Sequence, residues 1–412
     1  MSAVLGRLGV MNVKKIELPF FDSSTELSIP DNWETQICTP KTLPTMSNDQ
    51  LRKCFAEPIG TPKLREIAVG KKTAAVVVED VTRPMRVDRL VPIVLGELEA
   101  GGIAREDIVI VSAVGCHKPQ TGPDFRRKLG DSIVDNYRTL SPSQYDQLTY
   151  VGTTRRGTPI YVNTQVASAD VKVGVGGIIP HPAAGYGGGG KTVLPGVCGA
   201  KTITIHHLKG NNAGSGVRII EGNEFRADLE EGAELTRLDF VVNAIMGVSR
   251  DIVGLFVGDM IEAHRQGIAM AEEAYAVTAE RNVDINIISA YPEDYDLIQS
   301  TKALAKGMGT DSLKVGGKVL LVTACPDGAG HHSLYGPTGK GHDGFLERRK
   351  AQALNMELII YSPGVGPIEM LDVFPSSVRI FRDADAAVDY VAAGSASAKV
   401  NVFPYGAISL LV

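Results

Sequence analysis

The chain is 412 residues long, with 44% hydrophobic and 22% charged residues and a formal net charge of -5; one hydrophobic core ordinarily holds less, so two domains are expected. The charge balance excludes a basic nucleic-acid binder, because no surplus of Lys and Arg stands ready to meet phosphates. Cys38, Cys54, Cys116, Cys198 and Cys325 are odd in number and scattered, without a C-x-x-C pair, which argues against a disulfide framework or zinc ribbon and points to a reducing cytoplasm.

The N-terminal MSAVLGRLGVMNVKKIELPF has a short apolar start followed by lysines and no small-residue cleavage pattern. No later apolar run reaches membrane-spanning length, so the expectation is a cytoplasmic protein without a membrane partner. Strands and helices then alternate. TAAVVVED (73–80), DIVIVSAVG (107–115) and DVKVGVGGI (170–178) are β-branched runs bounded by turn residues, and VDRLVPIVLGELEAGG (87–102) has helical spacing and a closing Gly pair. FVVNAIMG and DIVGLFVGD continue the strands, and MIEAHRQGIAMAEEAYAVTAERN predicts a connecting helix that marks a boundary near residue 270. Beyond it, VDINIISA, GKVLLVTA, ELIIYS and SVRIFRD are strand candidates, with a helix over DADAAVDYVAAG (383–394). The rhythm predicts an α/β protein of two α/β domains with parallel-rich sheets and an active site in the cleft between them. The N-terminal domain is expected over 1–270 and the C-terminal one over 271–398, with the apolar tail 399–412 returning to complete the first.

Residues 181–207 read HPAAGYGGGGKTVLPGVCGAKTITIHH. Gly185 to Thr192 fit the GxxxxGK[ST] pattern of a phosphate-binding loop, which would make the chain a P-loop NTPase or kinase. Such a loop must open directly into a helix, and here Pro195, Gly196 and Gly199 interrupt it. FVVNA also supplies no strand-end aspartate for magnesium. Glycines let a backbone approach any flat or charged ligand, so another nucleotide-like group is served equally well.

His117, in GCHKP, and His181, in IIPHP, each follow the end of a predicted parallel strand, where open α/β sheets place their active sites. Singly, each reads as well as a loop histidine with satisfied hydrogen bonds; in equivalent positions they form a candidate acid/base pair. Arg83, in DVTRP, occupies a third strand end and suits a two-pronged carboxylate clamp, the alternative being a surface arginine beside Asp80.

DVTRP, GCHKP, PHPAAGYGGGGKTVLPG, a histidine shortly after it, and QSTK at 299–302 resemble, in order and spacing, the nickel-dependent lactate racemase family. The resemblance implies a nickel pincer nucleotide, a dithio nicotinic-acid mononucleotide built by separate accessory enzymes and joined through a thioamide to Lys191. It implies cofactor contacts from Asp80, Gly187, Gly188, Gly189 and Gly190, and substrate contacts from Arg83, Gln299 and Lys302. Nickel would take sulfur, carbon and sulfur from the pincer and one histidine, a soft square-planar set. The family spacing selects His207 over His206, and on a helix the two side chains would diverge by roughly 100°. Without the resemblance, both histidines read as ordinary surface or core residues, and Gln299 with Lys302 as a polar helix face.

The chain departs from the family in two places. Ile298 stands where an aromatic precedes the glutamine, and the only tryptophan is Trp33, so the C-terminal pocket tryptophan is missing. That points to a 2-hydroxy acid other than lactate, with Arg86, Lys118, His331 and His332 as unranked extra contacts. The chemistry itself favours hydride removal: beside a carboxylate the α-hydrogen is a very poor acid, whereas loss of hydride with the hydroxyl proton gives a stable 2-keto acid. A non-catalytic pincer-binding protein on the same scaffold is the remaining alternative.

Overall fold

The computed structural model describes residues 12–210, 214–306, 312–334, 356–395 and 397–412; the apolar start at 1–11 lies outside them. Two compact units result, one built from Pro40–Ala276 together with the segment beginning at His331, the other from the N-terminal residues to Thr39, Val277–Gly330 and the C-terminal part.

In the first unit, six strands form one sheet in the order Ile252–Gly258, Phe240–Met246, Val171–Gly177, Ala74–Glu79, Ile108–Ala113 and Arg138–Leu140. All neighbours are parallel except the first pair. Val171–Gly177 and Phe240–Met246 are buried at every position, as expected of parallel strands covered on both faces. The predicted helices form over Val91–Ala100 and Glu262–Tyr275. The connecting-helix face buries Ala263, Gly267, Ala271 and Ala274, small residues at helical spacing that permit close packing.

In the second unit, the order is Arg379–Phe381, Glu357–Tyr361, Leu313–Val322, Val283–Ser289, Lys399–Phe403 and Glu34–Ile37, all parallel. The tail thus extends this sheet, correcting the expectation that 399–412 completes the first domain. The N-terminal region joins it too. An antiparallel hairpin, Val13–Phe20 with Ser23–Pro30, contributes Leu18, Leu27 and Ile29 to one core with Trp33, Ile285, Leu320 and Val400. Residues 12–39 therefore belong with the second sheet instead of the expected 1–270 block. The cause is long-range: a four-residue edge strand has its pairing partner some 360 positions later in the chain, and nothing local specifies that. Trp33 is 2% exposed and donates its Nε1 hydrogen to Ser395 O at 3.1 Å, which makes it a core residue. No helix among the described residues is long and apolar enough to cross a membrane.

Candidate active site

Three neighbouring parallel strands of the first unit, Val171–Gly177, Ala74–Glu79 and Ile108–Ala113, carry the motif loops at their carboxyl ends. Arg83 follows the central strand, and His181 and His117 follow its two neighbours, so residues far apart in sequence are gathered by the sheet order itself.

Asp80 ends the central strand and is 1% exposed. Its Oδ1 accepts from Thr82 N at 2.7 Å and Thr82 Oγ1 at 2.5 Å, a local turn that aspartate favours. Its Oδ2 accepts from His117 Nδ1 at 2.6 Å. Burial alone would raise this carboxyl, but the facing His117, Arg83 and Thr82 overcome it and hold Asp80 well below the usual carboxylate range. Asp80 is thus engaged with His117 and Thr82 through both oxygens. Since a carboxylate only accepts, His117 carries its proton on Nδ1 and presents the Nε2 lone pair. Arg83 Nη2 lies 3.1 Å from that Nε2. Burial, then the positive Arg83 and Lys191, lower the His117 pKa against the opposing pull of Asp80.

His181 is held the opposite way round. Its Nδ1 accepts from Ala184 N at 3.0 Å and Ala183 N at 3.2 Å, so the neutral ring has its proton on Nε2, 3.3 Å from Lys191 Nζ. Protonating Nδ1 would set an N–H against two amide hydrogens. Burial first, then Lys191, Arg83, Arg226 and His207, push its pKa well below the ordinary histidine value.

Lys191 sits in a single 3-10 turn, Gly189–Thr192, and the next helix begins only at Ala200. The phosphate-loop reading fails on this geometry. Thr192 Oγ1 donates to Gly189 O, Gly187 N to Ile179 O and Gly189 N to Asn243 Oδ1, so hydroxyl and amides that would cradle phosphate and magnesium serve the loop itself. The glycines also have a packing role that sequence reasoning missed. A Cβ on Gly187 would lie 2.8 Å from Gly177 O, one on Gly188 2.8 Å from Asn243 Oδ1, and one on Gly190 3.0 Å from Ala233. Gly188 and Gly189 further adopt φ of 72° and 57°, which disfavours any side chain. Gly187, Gly188 and Gly190 thus pack the loop closely on its surroundings. Behind it, the buried Arg226 donates to Ala184 O and Tyr186 O, and His264 donates Nε2–H to Gly187 O at 2.7 Å.

The helix Ala200–Gly210 carries both candidate metal histidines, whose rings stand at 89° to each other. His206 is fully buried, with Nδ1 donating to Asp228 Oδ2 at 2.7 Å and its ring against Phe225; burial lowers its pKa despite Asp228. His207, partly exposed, donates Nδ1–H to Ile203 O at 2.8 Å, which leaves Nε2 as the nitrogen able to bind a metal. No group of three or more His, Cys, Asp or Glu suited to a metal occurs among the described residues.

Two residues without any sequence signal support Arg83. Lys128, in the basic run RRKL, is buried and donates to Glu79 Oε1 at 3.0 Å, Arg83 O at 2.7 Å and Met85 O at 3.0 Å. Glu79 also accepts from Met85 N and Gly177 N, tying the Arg83 loop to two strands.

Gln299 and Lys302 lie in the second unit. Gln299 is 1% exposed in the short turn Leu297–Ser300, and Lys302 Nζ pairs with the fully buried Glu293 at 2.7 Å. Arg86 is engaged by Asp88 through both carboxylate oxygens. His331 is half-buried with a pKa lowered by burial, whereas His332 packs near His117, with ring centroids 5.8 Å apart.

Residues 20–216 match the family described as lactate racemase N-terminal domain. A lactate racemase from Thermoanaerobacterium thermosaccharolyticum is 29% identical over 332 residues, covering 78% of this chain and 76% of that protein. One from Lactiplantibacillus plantarum is 30% identical over 293 residues, covering 70% and 68%. Among solved structures, the lactate racemase apoprotein from T. thermosaccharolyticum superposes with a TM-score of 0.78 at 24% identity, over 97% of this chain and 100% of that one. A Thermotoga maritima protein follows at 0.65 and 15% identity, over 90% and 99%; at these identities the two structures establish the α/β fold. With a first unit whose strand ends carry the family's motifs, and with relatives matching the chain over two thirds of their length, the chain belongs to the lactate racemase family and is an isomerase of the racemase type.

Proposed function

We propose that the protein inverts C2 of a 2-hydroxy acid other than lactate, by removal and return of hydride through a bound 2-keto acid. The observation that carries the reading is the pairing of an Asp80-backed His117 with an amide-backed His181, both within the positive field of Arg83. His117 is built to receive a proton: Nε2 offers the lone pair, and the Asp80 carboxylate stabilises the imidazolium that forms. His181 is built to lose one, because its imidazolium opposes two amide hydrogens. Each inversion starts with one extra proton on the pair: in one direction neutral His117 takes the hydroxyl proton and an imidazolium His181 gives one to the keto oxygen, and in the other the roles exchange. Arg83 holds the carboxylate by its two-pronged guanidinium.

The residues fit a nickel pincer nucleotide. Lys191 would carry it in thioamide linkage, and His207 Nε2 would be the single protein ligand. The 3.3 Å contact from His181 Nε2–H to Lys191 is a hydrogen bond only when the lysine is a neutral amine, the nucleophilic form that such a linkage requires. When bound, the group supplies a hydride acceptor beside C2. The holoenzyme would come from a host whose accessory enzymes make the pincer.

The test is a 2-hydroxy acid carrying deuterium at C2, given to holoenzyme in ordinary water. Label retained through inversion is expected; wash-out to solvent at the rate of inversion would establish proton abstraction and overturn the hydride reading. A panel of lactate, malate, 2-hydroxybutyrate, phenyllactate and aldonic acids should show lactate not to be the best substrate.

A further inference from the structure

His332 stands in the sequence next to the second unit, which reaches to Gly330, yet residues 331–334 belong with the catalytic unit. The segment is anchored there. Ser333 N donates to Cys116 O at 2.8 Å, on the very loop that carries His117. Leu334, 4% exposed, lies in one apolar cluster with Cys116, Val111 and Ala184. His332 itself is 6% exposed, and its ring meets that of His117 at 61° with 5.8 Å between centroids. Its Nδ1 accepts from Leu334 N at 3.3 Å; the neutral ring then carries its proton on Nε2 and is a donor there.

A hydroxyl at hydrogen-bond distance from His117 Nε2, about 2.8 Å, brings the carbons beyond C2 within reach of a ring so close. We propose that His332 is a specificity-determining residue that donates a hydrogen bond to an oxygen borne on the substrate beyond C2, so that the substrate is a 2-hydroxy acid with a further carboxylate or hydroxyl group. An alkyl chain offers such a donor no acceptor, and a site built to hydrogen-bond an oxygen discriminates strongly against analogues lacking it. The inference rests on the racemase reading above and adds to it the chemistry of the substrate's far end.

The experiment compares wild-type, His332→Ala and His332→Gln holoenzymes on malate, an aldonic acid and 2-hydroxybutyrate, measuring kcat/KM for inversion. His332→Ala should lower kcat/KM about tenfold or more on an oxygen-bearing substrate, and change 2-hydroxybutyrate by less than about threefold. His332→Gln, which keeps an N–H donor, should recover part of the loss. A response confined to malate identifies a carboxylate, and one confined to the aldonic acid a hydroxyl. Equal losses on all three substrates, or none on any, would overturn the inference while leaving the racemase reading intact. A wild-type holoenzyme that inverts no 2-hydroxy acid would overturn both. Should His332→Ala fail to fold, the same ratios from His332→Gln and His332→Phe decide the matter.

Discussion

His117 gives its Nδ1 hydrogen to the buried carboxylate of Asp80 at 2.6 Å. The consequence is that one nitrogen of the imidazole is committed to structure and the other, Nε2, is the one the proposed chemistry uses. His181, whose Nδ1 instead receives two amide hydrogens, differs from it in tautomer and in readiness to hold a proton.

Asp80→Asn replaces an acceptor that fixes the tautomer with a group that can donate instead. Activity should fall by about a hundredfold or more, in both directions of inversion, while the deuterium at C2 is still retained. Steady-state rates on both enantiomers check this. Unchanged kcat would show that Asp80 does not act through His117.

The two neighbouring histidines of the helix Ala200–Gly210 should separate cleanly. His207→Ala is expected to abolish activity and weaken nickel retention, with little change in Tm. His206→Ala removes a buried hydrogen bond to Asp228 and should cost about 1–3 kcal/mol of stability, with nickel retained; Asp228 keeps Thr154 and Thr158 as partners. Metal analysis beside thermal denaturation reads both, and reversed behaviour would move the ligand assignment to His206.

Lys128→Met should both destabilise the protein and raise KM for the hydroxy acid more than it lowers kcat. Breaking a buried ion pair by removing one partner costs about 3–5 kcal/mol, and here it also frees the carbonyl of Arg83. The double variant Glu79→Gln with Lys128→Met should regain stability yet keep the raised KM. A loss of stability with KM unaltered would confine Lys128 to the core.

Stability should decline on mild acidification. Burial holds His117, His181 and His264 below the ordinary histidine pKa, so below about pH 6.5 the unfolded chain binds protons that the folded one refuses. Stability from these neutral rings is full above that pH and is lost as pH falls. Asp80, held low, adds a second loss only when pH drops below about 4. Tm of the apoprotein between pH 8 and 5 checks the first window, and a flat or rising profile toward acid would contradict it.

Much of the catalytic unit was legible from the residues alone. The runs AAVVVE, IVIVSA and VKVGVGG could hardly be anything other than buried parallel strands, and the motif residues at their carboxyl ends could be ranked by position. What those residues touch was not legible. Asp80 is adjacent in sequence to Val81 and Thr82, and its partnership with His117 follows only from the neighbouring placement of two strands. The glycine run carried a local pattern that fits phosphate binding, yet its shape answers to Asn243, Ala233 and the Gly177 carbonyl. Lys128 offered no signal, since a lysine in RRKL looks like a solvated one.

The sequence by itself determined the α/β class, the strand ends that carry Arg83, His117 and His181, and the family, because periodicity and motif order are properties of neighbouring residues. The tertiary structure alone decided that the N-terminal strand Glu34–Ile37 and the C-terminal strand Lys399–Phe403 join the second sheet, that His117 and His181 hold opposite tautomers, and that His332 packs near His117. Each of these depends on pairing between residues far apart in the chain, where the energy lies in burial and hydrogen bonds formed only after the backbone has closed.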